Sequence, residues 1–136
     1  MIVWIVLALI LFFKNNMRMQ FFLCMLVSII ASIINEGIIK NIFKRERPFI
    51  DSDIINPLIS APTSYSFPSG HSMTSFLAAY LLAYYFPQYK VAVFILAALI
   101  AFSRIYIGVH YFSDVLVGSI LGILFGILAL NIIKKK

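Results

Sequence analysis

The chain has 136 residues, 62% of them hydrophobic and 12% charged, with a net charge of +6 and a mean hydropathy of +1.01. Soluble domains carry roughly a quarter of their residues charged, so this composition excludes an ordinary soluble globular protein and points to a bilayer. The cations are split over short loops with no aromatic ladder beside them, which argues against a nucleic-acid partner.

The first apolar run, Ile2 to Phe13, reaches about 18 Å at 1.5 Å per residue, short against a hydrocarbon core of about 30 Å. It is uniformly apolar and runs into Lys14 and Asn15, so it reads as a retained membrane segment rather than a secretory leader. Four further runs, Gln20 to Ile39, Ser69 to Phe86, Val91 to Ile107 and Phe112 to Ile133, reach about 26 to 33 Å and are expected to cross. No linker, low-complexity tract or internal repeat divides the chain. The expected fold is all-α: a polytopic membrane helix bundle of five apolar helices in a single domain, residues 1–136. The lone Cys24 sits inside an apolar run and reads as packing, which leaves no disulfide and no thiolate metal site to propose.

Alternating the connections between two faces separates the charges. One face takes Lys14, Arg18, Lys90 and Lys134 to Lys136, with no anion. The other takes Lys40, Lys44, Arg45, Arg47 and Arg104 against Glu36, Glu46, Asp51, Asp53 and Asp114. The positive-inside rule puts the first face, with Lys134 to Lys136, in the cytoplasm and the mixed face outside a multi-pass cell membrane.

The mixed face holds the chemistry. The stretch Lys40 to Pro48 closes the second long run; if the helix continues, Lys40 and Arg47 lie about two turns apart on one side. Lysine and arginine are the two side chains best suited to phosphate oxygens. Lys44 and Arg45 read as snorkelling boundary cations. Ser66 to Ser72 opens the third run. Pro68 and Ser69 are helix-start residues, so the first-turn N–H groups, that of Gly70 included, would face an anion. His71 stands beside them, able to donate a proton near neutral pH. Ser103 to Asp114 turns the fourth run into the fifth. His110 and Asp114 are spaced i, i+4, which on a helix sets a carboxylate one turn from an imidazole and frees the other ring nitrogen as a nucleophile. Arg104 joins the phosphate clamp. Each stretch alone has a structural reading; three on one face of one small bundle favour phosphate chemistry.

Gly118, Gly122 and Gly126 form a small-residue stripe on the last run. It is expected to pack inside the bundle, with a homo-oligomer face as the lesser option.

These residues resemble the type 2 phosphatidic acid phosphatase family, whose motifs are a Lys separated by six residues from Arg-Pro, then Pro-Ser-Gly-His, then Ser-Arg, five residues, His, three residues, Asp. They fall here at Lys40, Arg47 and Pro48; at Pro68 to His71; and at Ser103, Arg104, His110 and Asp114. The resemblance implies a six-helix bundle, whose first helix would then be missing or truncated here, and an active site facing away from the cytoplasm. It implies that His110 attacks phosphorus, Asp114 orients it and His71 protonates the leaving oxygen, by way of a phosphohistidine. It further implies that Lys40, Arg47, Arg104, the Ser69 hydroxyl and the Gly70 N–H hold the phosphate, with no metal or other cofactor. The family spans several membrane lipid phosphates, soluble acid phosphatases and vanadium haloperoxidases; apolar helices argue against the soluble members. With only Phe49 to Phe67 to cover the site, undecaprenyl diphosphate is the first substrate expectation, and phosphatidic acid or phosphatidylglycerophosphate the second. A catalytically silent membrane scaffold is the rival from outside enzymology.

Overall fold

The computed structural model describes residues 2–51 and 57–134. Asp53, Lys135 and Lys136, and the side chains of Asp51 and Lys134, which the charge argument assigned to faces, lie outside the described residues. All regular structure among the described residues is helical: α1 (Ile2–Lys14), α2 (Arg18–Ile34), α3 (Lys40–Phe43), α4 (Pro48–Asp51), α5 (Gly70–Tyr85), α6 (Lys90–Tyr106) and α7 (Phe112–Lys134). Five of these are long and apolar, as the sequence suggests. A π turn, Asn35–Ile39, joins α2 to α3 without a break, and a 3-10 turn, Pro87–Tyr89, precedes α6.

The inside-out distribution of side chains follows from the composition. Met19, Phe22, Ile33, Val91, Leu99 and Ile132 are all more than half exposed, a surface that water would not tolerate and lipid would. Three stretches, Arg18–Phe43, Pro87–Tyr106 and Phe112–Ile132, are long and apolar enough to cross a membrane. The fourth expected crossing, α5, is shorter than its apolar run: 16 residues, or about 24 Å. It ends where Phe86 meets Pro87, since the residue before proline is pushed out of the helical region.

Helix α5 is the centre of the bundle. It packs against α7 and α6 on one side and α2 and α1 on the other, and Ser72, Met73, Ser75, Leu77 and Ala79 along it are fully enclosed. Trp4 Nε1 donates to Ser75 Oγ at 3.0 Å, tying α1 to α5. At the other end of α1, Phe12 meets Phe86 and Tyr85 edge to face, with ring centroids 5.0 and 5.3 Å apart. Cys24 is buried, as expected of a packing residue.

The glycine stripe of α7 sets the closest approach. A Cβ on Gly118 would stand 2.5 Å from Ser69 O, and one on Gly122 would run into the carbonyl of Met73 and stand 2.9 Å from Leu77 N. Only glycine permits this spacing. The stripe is therefore taken up by α5 within the chain, as the packing reading anticipates, rather than left for a second copy. It also brings the start of α5 against the start of α7, where Ser69 N–H donates to Asp114 O at 3.0 Å.

Candidate active site

The second long run departs from a plain helix where the site begins. The π turn adds a residue to one turn, which advances everything after it by about 100° around the axis. Lys40 follows directly and is 3% exposed. The helix then stops at Phe43, with Lys44 in the left-handed region at φ 46°. Arg47 cannot continue a helical stripe, because it precedes Pro48. The sequence expectation of two cations on one helical face is corrected here: Lys40 and Arg47 meet through a left-handed turn, and both are buried.

Ser64 joins them. Lys40 Nζ donates to Ser64 Oγ at 3.2 Å, Arg47 Nη2 donates to the same oxygen at 3.2 Å, and Arg47 Nε donates to Ser64 O at 2.7 Å. Arg47 Nη1 donates to Val109 O at 2.8 Å and lies 3.4 Å from His110 Nε2. That contact aims Nε2, with its lone pair, at the cations and leaves Nδ1 toward Asp114. Lys40 Nζ also meets the Glu36 carboxylate, at 2.8 Å from Oε1 and 3.0 Å from Oε2.

The i, i+4 pair His110 and Asp114 is not on one continuous helix. His110 sits in the turn before α7, a turn that Gly108 makes at φ 76°, and Asp114 is in the first turn of α7. Nδ1 of His110 stands 3.5 Å from Asp114 Oδ2, too long for a hydrogen bond. Asp114 is instead held by three other donors. Its Oδ2 accepts from Ser66 Oγ and, at 2.9 Å, from Tyr111 N–H, and its Oδ1 accepts from Arg45 Nη1 at 2.7 Å.

Arg45 is thereby corrected from boundary cation to part of the cluster. It also donates to Ser113 Oγ at 2.7 Å and lies over the Tyr111 ring, 4.0 Å from its centroid. Lys44, by contrast, is exposed, as a snorkelling cation would be.

Ser69 caps α5 as expected, accepting from Ser72 N–H at 3.4 Å and Ser72 Oγ at 3.0 Å. Ser69 is fully buried, next to Gly70 at the start of α5. His71 is exposed at the mouth, within electrostatic reach of Arg104, His110 and Lys40. Arg104 turns its guanidinium onto Ser103 Oγ, at 3.1 and 3.0 Å. His71 and Arg104 thus border the cup rather than belong to its hydrogen-bonded cluster. Burial pushes the His110 imidazole below its usual range; Asp114 opposes that shift and Arg47 adds to it. The arrangement is a neutral imidazole facing two buried cations and a helix start, which suits attack on a bound phosphate. Among the described residues, no group of three His, Cys, Asp or Glu is placed to hold a metal ion.

Sequence reasoning gave Ser64, Ser66, Arg45 and Glu36 no role in the site. Only Glu36 carried a local signal, as an i, i+4 partner of Lys40.

The sequence and the fold are both similar to known proteins. The model of the PAP2 superfamily matches residues 21–136. An undecaprenyl-diphosphatase of Sulfolobus acidocaldarius is 34% identical over 125 residues, 88% of this chain and 58% of that protein. The crystal structure of a transmembrane PAP2 type phosphatidylglycerolphosphate phosphatase from Bacillus subtilis superposes with a TM-score of 0.71 at 32% identity, covering 96% of this chain and 67% of that one. That of Aquifex aeolicus LpxE gives 0.78 at 30% identity, covering 94% and 77%. The chain thus spans less than two thirds of the Sulfolobus relative's length.

Proposed function

The chain belongs to the PAP2 superfamily, and from that premise we propose that it is a membrane lipid phosphatase working through a phosphohistidine, without a metal. The observation that carries the reading is the set of His110, with Nε2 3.4 Å from Arg47 Nη1 and Nδ1 on the side of Asp114. Lys40, Arg47 and Arg104, with the Ser69 hydroxyl and the Gly70 N–H, take the phosphate oxygens, where phosphoryl-transfer charge is spread. His110 Nε2 attacks phosphorus in line; the P–N bond forms as the bond to the leaving oxygen breaks, and His71 gives that oxygen its proton. A water then attacks phosphorus, loses its proton to His71 and frees His110. Asp114 orients the imidazole and balances the charge it gains.

The substrate proposed is undecaprenyl diphosphate, in a cell membrane with the site on the extracytoplasmic face. Two points support it: the Sulfolobus relative carries that name, and the stretch numbered 49–67 is too short to be a domain that reads a head group. A second reading, phosphatidylglycerophosphate, is favoured by the Bacillus structure, which covers nearly the whole chain. Phosphate release from a panel of detergent-solubilised lipid phosphates, with and without EDTA and orthovanadate, tests both. The expected outcome is fastest release from the diphosphate, indifference to EDTA, and inhibition by vanadate as a five-coordinate mimic of the transition state. Loss of activity in EDTA that Mg²⁺ restores, with indifference to vanadate, would sink the mechanism.

A further inference from the structure

Glu36 lies outside the residues assigned to the reaction, yet its carboxylate stands among them. Both of its oxygens are on Lys40 Nζ, at 2.8 and 3.0 Å. The same Oε1 accepts from Asn35 Nδ2 at 3.3 Å, and a Cβ placed on Gly70 would come within 2.9 Å of it. The carboxylate therefore bridges the buried ammonium and the start of α5, the two surfaces between which a phosphate oxygen would sit. Asn35, fully buried in the π turn, holds it there. Glu36 itself is about half exposed, at 48% of its side chain, so it can swing into solvent once another anion takes its place on Lys40. Lys40 cannot.

We propose that Glu36 is an internal anion that occupies part of the phosphate site when substrate is absent and must be displaced for phosphate to bind. This rests on the phosphatase reading above. Its consequence is weaker retention of the reaction's free product. A lipid phosphate is held at the membrane surface by its tail and meets the site at high effective concentration, so it displaces Glu36 readily. Free orthophosphate, the product, has no tether and must compete with a carboxylate that is always present. A resident competitor weakens both ligands by the same factor, so a lipid phosphate at high effective concentration still fills the site while orthophosphate at ordinary concentration does not. The residue would thereby keep the enzyme clear of its own product.

The test is calorimetric titration of orthophosphate into the purified protein in detergent, for the wild type, Glu36→Gln and Glu36→Asp, with melting temperatures to show that each is folded. A half-exposed ion pair is worth up to about 1 kcal/mol, so Glu36→Gln is expected to bind orthophosphate up to about fivefold more tightly. Glu36→Asp, whose shorter side chain withdraws from Lys40, is expected to fall between, and it carries the test if Glu36→Gln does not fold. Unchanged or weaker orthophosphate binding in the folded variants overturns the proposal and makes Glu36 a support for Lys40. Lipid phosphate hydrolysis by the wild type is measured in parallel. Its absence would remove the phosphatase reading, while the binding comparison would still decide whether Glu36 excludes the anion.

Discussion

Asp114 Oδ2 stands 3.5 Å from His110 Nδ1 while that same oxygen accepts from Ser66 Oγ and Tyr111 N–H. The carboxylate is fixed by its other donors, and the imidazole is the partner left to move. Catalytic hydrogen bonds are often long in unliganded enzymes and tighten when substrate arrives. In the proposed reaction Nε2 would be drawn toward phosphorus from a turn rather than from a helix.

Replacing His110 with Ala should abolish turnover, because the covalent step has no other nucleophile. His71→Ala should cost much less on an aryl phosphate, whose leaving oxygen is weakly basic, than on a lipid phosphate. Steady-state rates on the two substrates check both. Substantial activity in His110→Ala, or equal losses for His71→Ala, would contradict the roles.

The pH dependence follows from the burial of His110. Its folded pKa lies below the ordinary imidazole value of 6.5, so the ring stays neutral, and nucleophilic, to lower pH than a free histidine would. The acid limb of kcat/KM should accordingly bend below pH 6.5. A limb that bends above that value would mean that Asp114 outweighs burial and Arg47 in the working enzyme.

Arg45 should matter where its neighbour does not. A hydrogen bond to a charged group is worth about 1.5–3 kcal/mol, and the partial exposure of Arg45 places its effect at the lower end. Arg45→Ala should therefore lower kcat/KM about tenfold, since Asp114 loses one of the donors that hold it. Lys44→Gln should stay close to the wild type. Similar losses in the two variants would return Arg45 to the role of a boundary cation.

Gly122→Leu should lower the melting temperature in detergent, because the side chain would have to enter the backbone of α5. Thermal unfolding followed by tryptophan fluorescence checks it, with Trp4 bonded to α5 through Ser75. An unchanged melting temperature would mean that α5 and α7 are further apart than described.

Much of this was legible in the chain, for physical reasons that differ from residue to residue. Apolar runs long enough to cross a bilayer announce themselves by length. The residues of the three motifs announce themselves by type and order, and the fold brings Lys40, Arg47, His110 and Asp114 within a few bonds of one another. The path between them was not legible. Lys40 and Arg47 sit seven positions apart, which suits a helix, yet the residue before Pro48 cannot be helical and Lys44 turns left-handed instead. Ser64 and Ser66 are loop serines, indistinguishable in sequence from their neighbours, and became visible only when the loop folded back over Arg47 and Asp114. Arg45 resembled any juxtamembrane cation until its partner, 69 positions away, was in place.

The π turn at Asn35–Ile39 amounts to one inserted residue in an otherwise continuous helix. Deleting any one of these five would restore the ordinary winding and swing Lys40 by about 100°, out of the cup and toward the hydrocarbon. In an alignment such a change costs a single gap and leaves every motif letter intact. Two chains could thus share all their signature residues and differ in whether the first of them points at the phosphate. For this helix, spacing upstream of the motif carries information that the motif itself does not.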